Sequence, residues 1–154
     1  MRIVLFQPDI PQNTGTIIRL GACFGLPVDI IEPCGFVWSE RKLKRAGMDY
    51  LTLANVTRYE NWEKFTSETS GRLILLTTKA TQEYRHAAFR KDDRLLFGRE
   101  SAGVPNEIHQ SADLRLTIPM VPGVRSLNVA MAVAVVSAEA LRQTDGFPVP
   151  TQTE

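Results

Sequence analysis

Short apolar runs alternate with amphipathic stretches along almost the whole chain, and this alternation limits the possible folds more than any other feature of the sequence. Residues 3–6, 28–31, 73–77 and 95–97 read as strands, the first two buried, and residues 114–118 alternate as a fifth. Between them lie helical segments. Asn13 is placed to cap a helix carrying Ile17, Leu20 and Phe24 at helical spacing, stopped by Gly25 and Pro27. Ser39 is placed to cap a short basic helix over residues 40–46, with Gly47 as its stop. Residues 62–68 form another, ended near Gly71, and Pro105 suits the first turn of a further one. The longest helix opens at Ser126 and runs from Leu127 to about Arg142. It is apolar on nearly every face, which predicts burial all round, in the core or in a subunit interface. Strands alternating with helices predict an α/β fold with a mostly parallel sheet flanked by helices.

Composition bounds the size of that fold. A chain of 154 residues makes one domain, with residues 144–154 expected to be a flexible tail. At this size roughly 68–70% of the unfolded surface can be buried, so no staple is required. The two cysteines, Cys23 and Cys34, show no metal-ligand spacing and read as reduced thiols, so no metal is predicted. No apolar run approaches the ~18 residues of a membrane helix. The short N-terminal apolar stretch ends at Pro8, so a cytoplasmic protein without a membrane partner is expected. With 18 Lys+Arg against 17 Asp+Glu the net charge is +1, so no global positive field marks a nucleic-acid partner. Local clustering does occur. Arg41, Lys42, Lys44 and Arg45 share the short basic helix, and Arg85, His86, Arg90 and Lys91 form a second group. Either is a solvated face or a set of phosphate contacts.

Ligands in parallel α/β sheets bind outside the carboxyl ends of the strands, so the polar and glycine-bearing turns there are the candidate site. The first is residues 11–15, Pro-Gln-Asn-Thr-Gly, with Arg19 one turn on. The second is residues 98–105, Gly-Arg-Glu-Ser-Ala-Gly-Val-Pro, which has neither dinucleotide nor P-loop spacing. The third is residues 118–123, Ile-Pro-Met-Val-Pro-Gly, followed by Arg125, Ser126, Leu127 and Asn128. Asn128 reads as a buried amide in an apolar helix, one that must find partners. His86 and His109 have no visible cysteine or carboxylate partner, so surface or loop placement is expected for both.

Four ordered blocks carry a resemblance: Asn13, Gly15 and Arg19; Phe97 to Pro105; Ile118 to Met120; and Arg125 to Ala130. Together they resemble the SpoU branch of the SPOUT RNA methyltransferases over roughly residues 2–143. The short chain is similar to the minimal members that methylate the ribose 2′-hydroxyl at the tRNA wobble position. The resemblance implies a deep C-terminal trefoil knot, bound S-adenosylmethionine and a homodimer acting on the tRNA anticodon stem-loop. It implies cofactor contacts from Leu76, Thr77, Thr78, Gly98, Glu100, Ile118, Met120, Ser126 and Leu127. It places Arg19, Glu100, Ser126 and Asn128 at the reactive centre. The RNA contacts expected from charge are Arg41, Lys42, Lys44, Arg45 and Arg85. Many relatives carry a Ser-Asn pair where this chain has Ala130-Met131, so the bonds of that pair must be absent or replaced. An rRNA methyltransferase and an RNA-binding module that has lost its chemistry are the alternatives.

Overall fold

The computed structural model describes residues 1–39, 41, 43, 50 and 52–149. Among the described residues six strands form one sheet: β1 (Arg2–Phe6), β2 (Val28–Ile31), β3 (Val56–Tyr59), β4 (Leu73–Leu76), β5 (Arg94–Phe97) and β6 (Leu114–Leu116). Their order is β3-β2-β1-β5-β4-β6 and every neighbouring pair is parallel. Among the described residues the α-helices of four or more residues are α1 (Pro11–Phe24), α2 (Trp62–Glu68), α3 (Asn106–Ser111) and α4 (Val129–Gln143).

Side chains on a strand point alternately to its two faces, and this sheet buries both. Ile3, Leu5, Ile30, Ile74, Leu95 and Phe97 point to the face covered by α1 and α4, where Ile17, Ile18, Val133 and Val136 complete the cluster. Val4, Phe6, Ile31, Leu75 and Leu96 point the other way, onto Phe65 of α2 and Ile108 of α3. That double burial is why the strands read as continuous apolar runs.

The strand missed by sequence is β3, a sheet edge whose Val56–Tyr59 are intermediate, intermediate, exposed and buried. One wet face leaves it without the continuous apolar run that marks its neighbours. Two helix starts also differ. Ile10, not Asn13, is the N-cap of α1, and it makes no side-chain cap bond; Pro11 takes the first turn instead. Gly25 does close that helix, at φ 66°, a conformation that costs glycine little. Asn128, not Ser126, caps α4, its Oδ1 accepting from the backbone of Ala130 (2.9 Å) and Met131 (3.4 Å). Asn128 is accordingly exposed rather than buried. Nor is α4 buried all round: Val133, Val136 and Ala140 are inaccessible, while Met131 and Val135 are 52% and 38% exposed. The chain is also held past residue 144, where Phe147 lies edge-on against Phe24, ring centroids 5.5 Å apart.

Going from β1, the chain builds outward through β2 and β3, then crosses to the far side for β4, β5 and β6. Succession therefore reverses between β1 and β5. The loops leaving the carboxyl ends of these two strands meet there, at the usual location of a ligand in such sheets.

Candidate active site

A cavity of about 610 Å³ lies at the carboxyl ends of β4, β5 and β6 and reaches the start of α1. That volume falls within the ~300–1,000 Å³ typical of small-molecule sites. Its walls are the strand end Leu75–Lys79, the turn 97–104, the segment Thr117, Ile118 and Met120, and residues 125–129 leading into α4. Ile10 and Asn13 close it on the α1 side.

The second wall is a tight turn. Arg99 N–H donates to the Gly103 carbonyl (3.0 Å) and Gly103 N–H donates to that of Arg99 (2.8 Å). Gly103 holds φ 67°, and a Cβ on Gly98 would come within 2.5 Å of the Gly103 carbonyl carbon. Both positions thus demand glycine.

Asp9, in the loop after β1, fastens this turn from beside the crevice. Its carboxylate accepts from the Ser101 hydroxyl (2.5 Å), the Ser101 N–H (3.1 Å) and the Arg99 guanidinium (3.0 Å). The Ser101 hydroxyl above all, with the Ser101 N–H and Arg99, holds the Asp9 carboxyl below the usual carboxylate range against the opposing pull of partial burial.

A second chain of bonds crosses the cavity rim. Asp9 N–H donates to Glu100 Oε2 (2.8 Å), and Asn13 Nδ2 donates to Glu100 Oε1 (3.2 Å). Asn128 Nδ2 donates to Asn13 Oδ1 (2.9 Å). Since Asn128 Oδ1 also caps α4, one polarised series runs from the Glu100 carboxylate to the first amides of the last helix. This gives Asn13 a role other than capping, with Glu100 orienting its amide.

The structure brings most of the expected residues together. Leu76, Thr77, Thr78, Gly98, Glu100, Ile118, Met120, Ser126, Leu127 and Asn128 all line the one cavity. Arg19 does not. It is exposed on α1, with its guanidinium carbon 4.8 Å from the centre of the Tyr50 ring. Arg41 is exposed, while Lys42, Lys44 and Arg45 and most of the expected basic helix lie outside the described residues. Arg85 is exposed and paired with Glu83 at 2.5 Å. Phe36 and Trp38 pack against the core cluster, and Arg58 lies 4.7 Å from the centre of the Trp38 ring. Both cysteines are free. Burial, with Glu32 nearby, pushes the Cys34 thiol up to about 11, so it is no ready nucleophile.

Sequence reasoning missed Asp9 and His109, and it picked out the turn that holds Arg99 without giving that side chain a role. Asp9 carried no signal, because its partners are about 90 residues away in sequence. His109 was expected at the surface or in a loop, yet it stands on α3 and lines the cavity with its Nε2 buried. Among the described residues no helix is long and apolar enough to cross a membrane.

Comparison with known proteins adds to this geometry. Residues 1–138 match the SpoU rRNA Methylase family. A tRNA (cytidine(34)-2′-O)-methyltransferase of Beijerinckia indica subsp. indica is 55% identical over 144 residues, covering 92% of this chain and 90% of that protein. A solved structure concerned with the 2-OH methylation of C/U34 on tRNA superposes with a TM-score of 0.88 at 40% identity, covering 92% of this chain and 94% of that one. An AdoMet-bound rRNA methyltransferase from Sinorhizobium meliloti superposes with a TM-score of 0.82 at 26% identity; 92% of this chain aligns with 55% of that longer one.

Proposed function

The chain belongs to the SpoU rRNA Methylase family, and from that premise we propose that it methylates the ribose 2′-hydroxyl of the wobble nucleotide of tRNA, cytidine or a modified uridine, using S-adenosylmethionine. The observation that carries this reading is convergence: turns from four separate stretches of sequence line one cavity of suitable size. The apolar side chains Leu76, Ile118 and Leu127, alternating with the backbone and polar groups of residues 77–78 and 98–101, suit a ligand that is part nucleoside and part amino acid. With the reading comes the trefoil knot implied for the C-terminal segment.

When bound, the donor supplies an electrophilic methyl group on a sulfonium whose departure leaves a neutral thioether. What remains for the protein is to aim the hydroxyl and stabilise its oxygen as it gives up its proton to solvent and takes the methyl group. Alignment alone can lower a barrier by roughly 7–11 kcal/mol at best. Leu76, Thr77, Thr78, Gly98, Ile118, Met120 and Leu127 hold the donor. Glu100, through Asn13, fixes the Asn128 amide at the rim, and the exposed Ser126 hydroxyl beside it directs the ribose. A guanidinium is a planar fork of donors with no acceptor, so Arg19 suits stabilisation of a developing alkoxide or a neighbouring phosphate better than proton removal. It stands outside the cavity wall and engages once RNA is seated. Arg41, Lys42, Lys44, Arg45 and Arg85 supply phosphate contacts. A second copy covers the apolar stripe of Leu127, Met131 and Val135, which are 41%, 52% and 38% exposed, giving a homodimer.

The purified chain is to be incubated with labelled S-adenosylmethionine and tRNA from cells lacking this protein, then the ribose methylation mapped by mass spectrometry. Incorporation at nucleotide 34 is expected. Incorporation only elsewhere, or only into rRNA, overturns the position; donor binding with no incorporation favours the inactive module.

A further inference from the structure

His109 stands on α3, in the connection between β5 and β6. It is the one side chain of the cavity wall that brings a buried polar atom with nothing to bond: among the described residues, Nε2 has no hydrogen-bond partner. The residue's backbone is pinned. Its N–H donates to the Pro105 carbonyl (3.0 Å), and its own carbonyl accepts from Arg115 Nε (2.8 Å). Arg115 also donates to the next carbonyl, that of Gln110 (3.0 Å). The ring is therefore carried by a backbone tied at both ends, beside a cavity. A buried nitrogen left unpaired carries the full cost of its lost hydration. Such a cost is tolerable where a ligand supplies the missing bond.

We propose that His109 is a cofactor-binding residue whose Nε2 bonds the adenine ring of the methyl donor. It rests on the reading above that an adenosyl donor occupies this cavity. Adenine fits the chemistry for a specific reason. Its exocyclic amine, a donor, sits beside ring nitrogens that accept, so either imidazole tautomer finds a partner on the same edge. Asn13, Glu100 and Asn128 satisfy one another at the rim on the α1 side, whereas His109 enters from α3 with its buried Nε2 unpaired among the described residues.

The test uses S-adenosylhomocysteine as the probe, titrated calorimetrically into the parent protein, His109→Leu and His109→Gln. Melting temperatures are recorded without and with probe. Leucine removes the nitrogen at similar volume, so probe affinity should fall roughly 3- to 10-fold, the size of one neutral hydrogen bond. The ligand-free His109→Leu protein should melt no lower than the parent, because the unpaired nitrogen is gone. Glutamine restores a polar atom at comparable reach and should recover most of the affinity. Unchanged affinity in His109→Leu overturns the proposal alone. A ligand-free melting temperature that falls in step with affinity also overturns it, since the ring would then be a structural support. Failure of the parent protein to bind the probe overturns the donor reading and this proposal together.

Discussion

The bond series from Glu100 to α4 has a direction, and reversing one link forces a conflict that can be measured. Two donors face the Glu100 carboxylate, the Asp9 N–H at 2.8 Å and the Asn13 amide at 3.2 Å. In Glu100→Gln only one side-chain oxygen remains, so one donor must meet an NH2 group. If the oxygen stays on the fixed Asp9 N–H, Asn13 has to turn its own oxygen towards residue 100. Its NH2 then confronts that of Asn128, now 2.9 Å from Asn13 Oδ1. Should Asn128 turn as well, α4 loses its cap. Every arrangement leaves one bond broken.

Hydrogen bonds to charged groups are worth about 1.5–3 kcal/mol, and an N-cap about 0.5–2 kcal/mol. The rim is partly hydrated, so a loss of about 1–2 kcal/mol is expected. For a chain of this length that lowers the melting temperature by roughly 2–8 °C. Asn13→Asp alone sets two carboxylates against each other and is also destabilising. The double variant Glu100→Gln/Asn13→Asp resets the series: residue 100 donates to residue 13, which still accepts from Asn128. Chemical denaturation of the four proteins, read as a double-mutant cycle, should give a favourable coupling of about 1 kcal/mol or more. Strict additivity, or a Glu100→Gln protein as stable as its parent, refutes the reasoning.

Gly98→Ala should destabilise the fold by about 1–3 kcal/mol and abolish measurable binding of S-adenosylhomocysteine by calorimetry, because the new Cβ would fall 2.5 Å from Gly103 backbone. Arg19→Ala should lose methyl transfer to tRNA while its melting temperature and S-adenosylhomocysteine affinity stay at parental values; Arg19→Lys should recover little, since an ammonium lacks the planar fork of donors. Asp9 has a folded-state carboxyl below its unfolded value, so its contribution is complete above the unfolded value of about 4 and fades as pH falls through the folded one. The melting-temperature gap between the parent and Asp9→Asn should therefore be constant from about pH 5 to 8 and close below about pH 4.

The parts of this architecture that are legible in the sequence are those where local chemistry and tertiary environment agree. Residues 28–31 and 62–68 were read with the bounds they have, one because burial on both faces removes polar interruptions, the other because Asn61 caps it through the Lys64 N–H at 2.8 Å. Helix starts failed where a capping residue had other employment: Asn13 looked free to cap and is instead committed to Glu100 and Asn128. Strand β3 failed because an edge needs only one apolar face. At the site, glycines and the residues flanking them could be picked out from order and spacing. Asp9 and His109 could not, since what matters about them is a partner about 90 residues away in one case and the lack of any partner in the other.

The cavity draws its walls from Ile10 at one extreme and Ala132 at the other, so it does not exist complete in a fragment that lacks either end of that span. During synthesis the amino-terminal strands leave the ribosome first, but a nascent polypeptide that stops short of α4 has no pocket to fill. If the donor binds here as proposed, its occupancy reports that folding has finished, and a product truncated before α4 is barred from the reaction before it ever meets RNA.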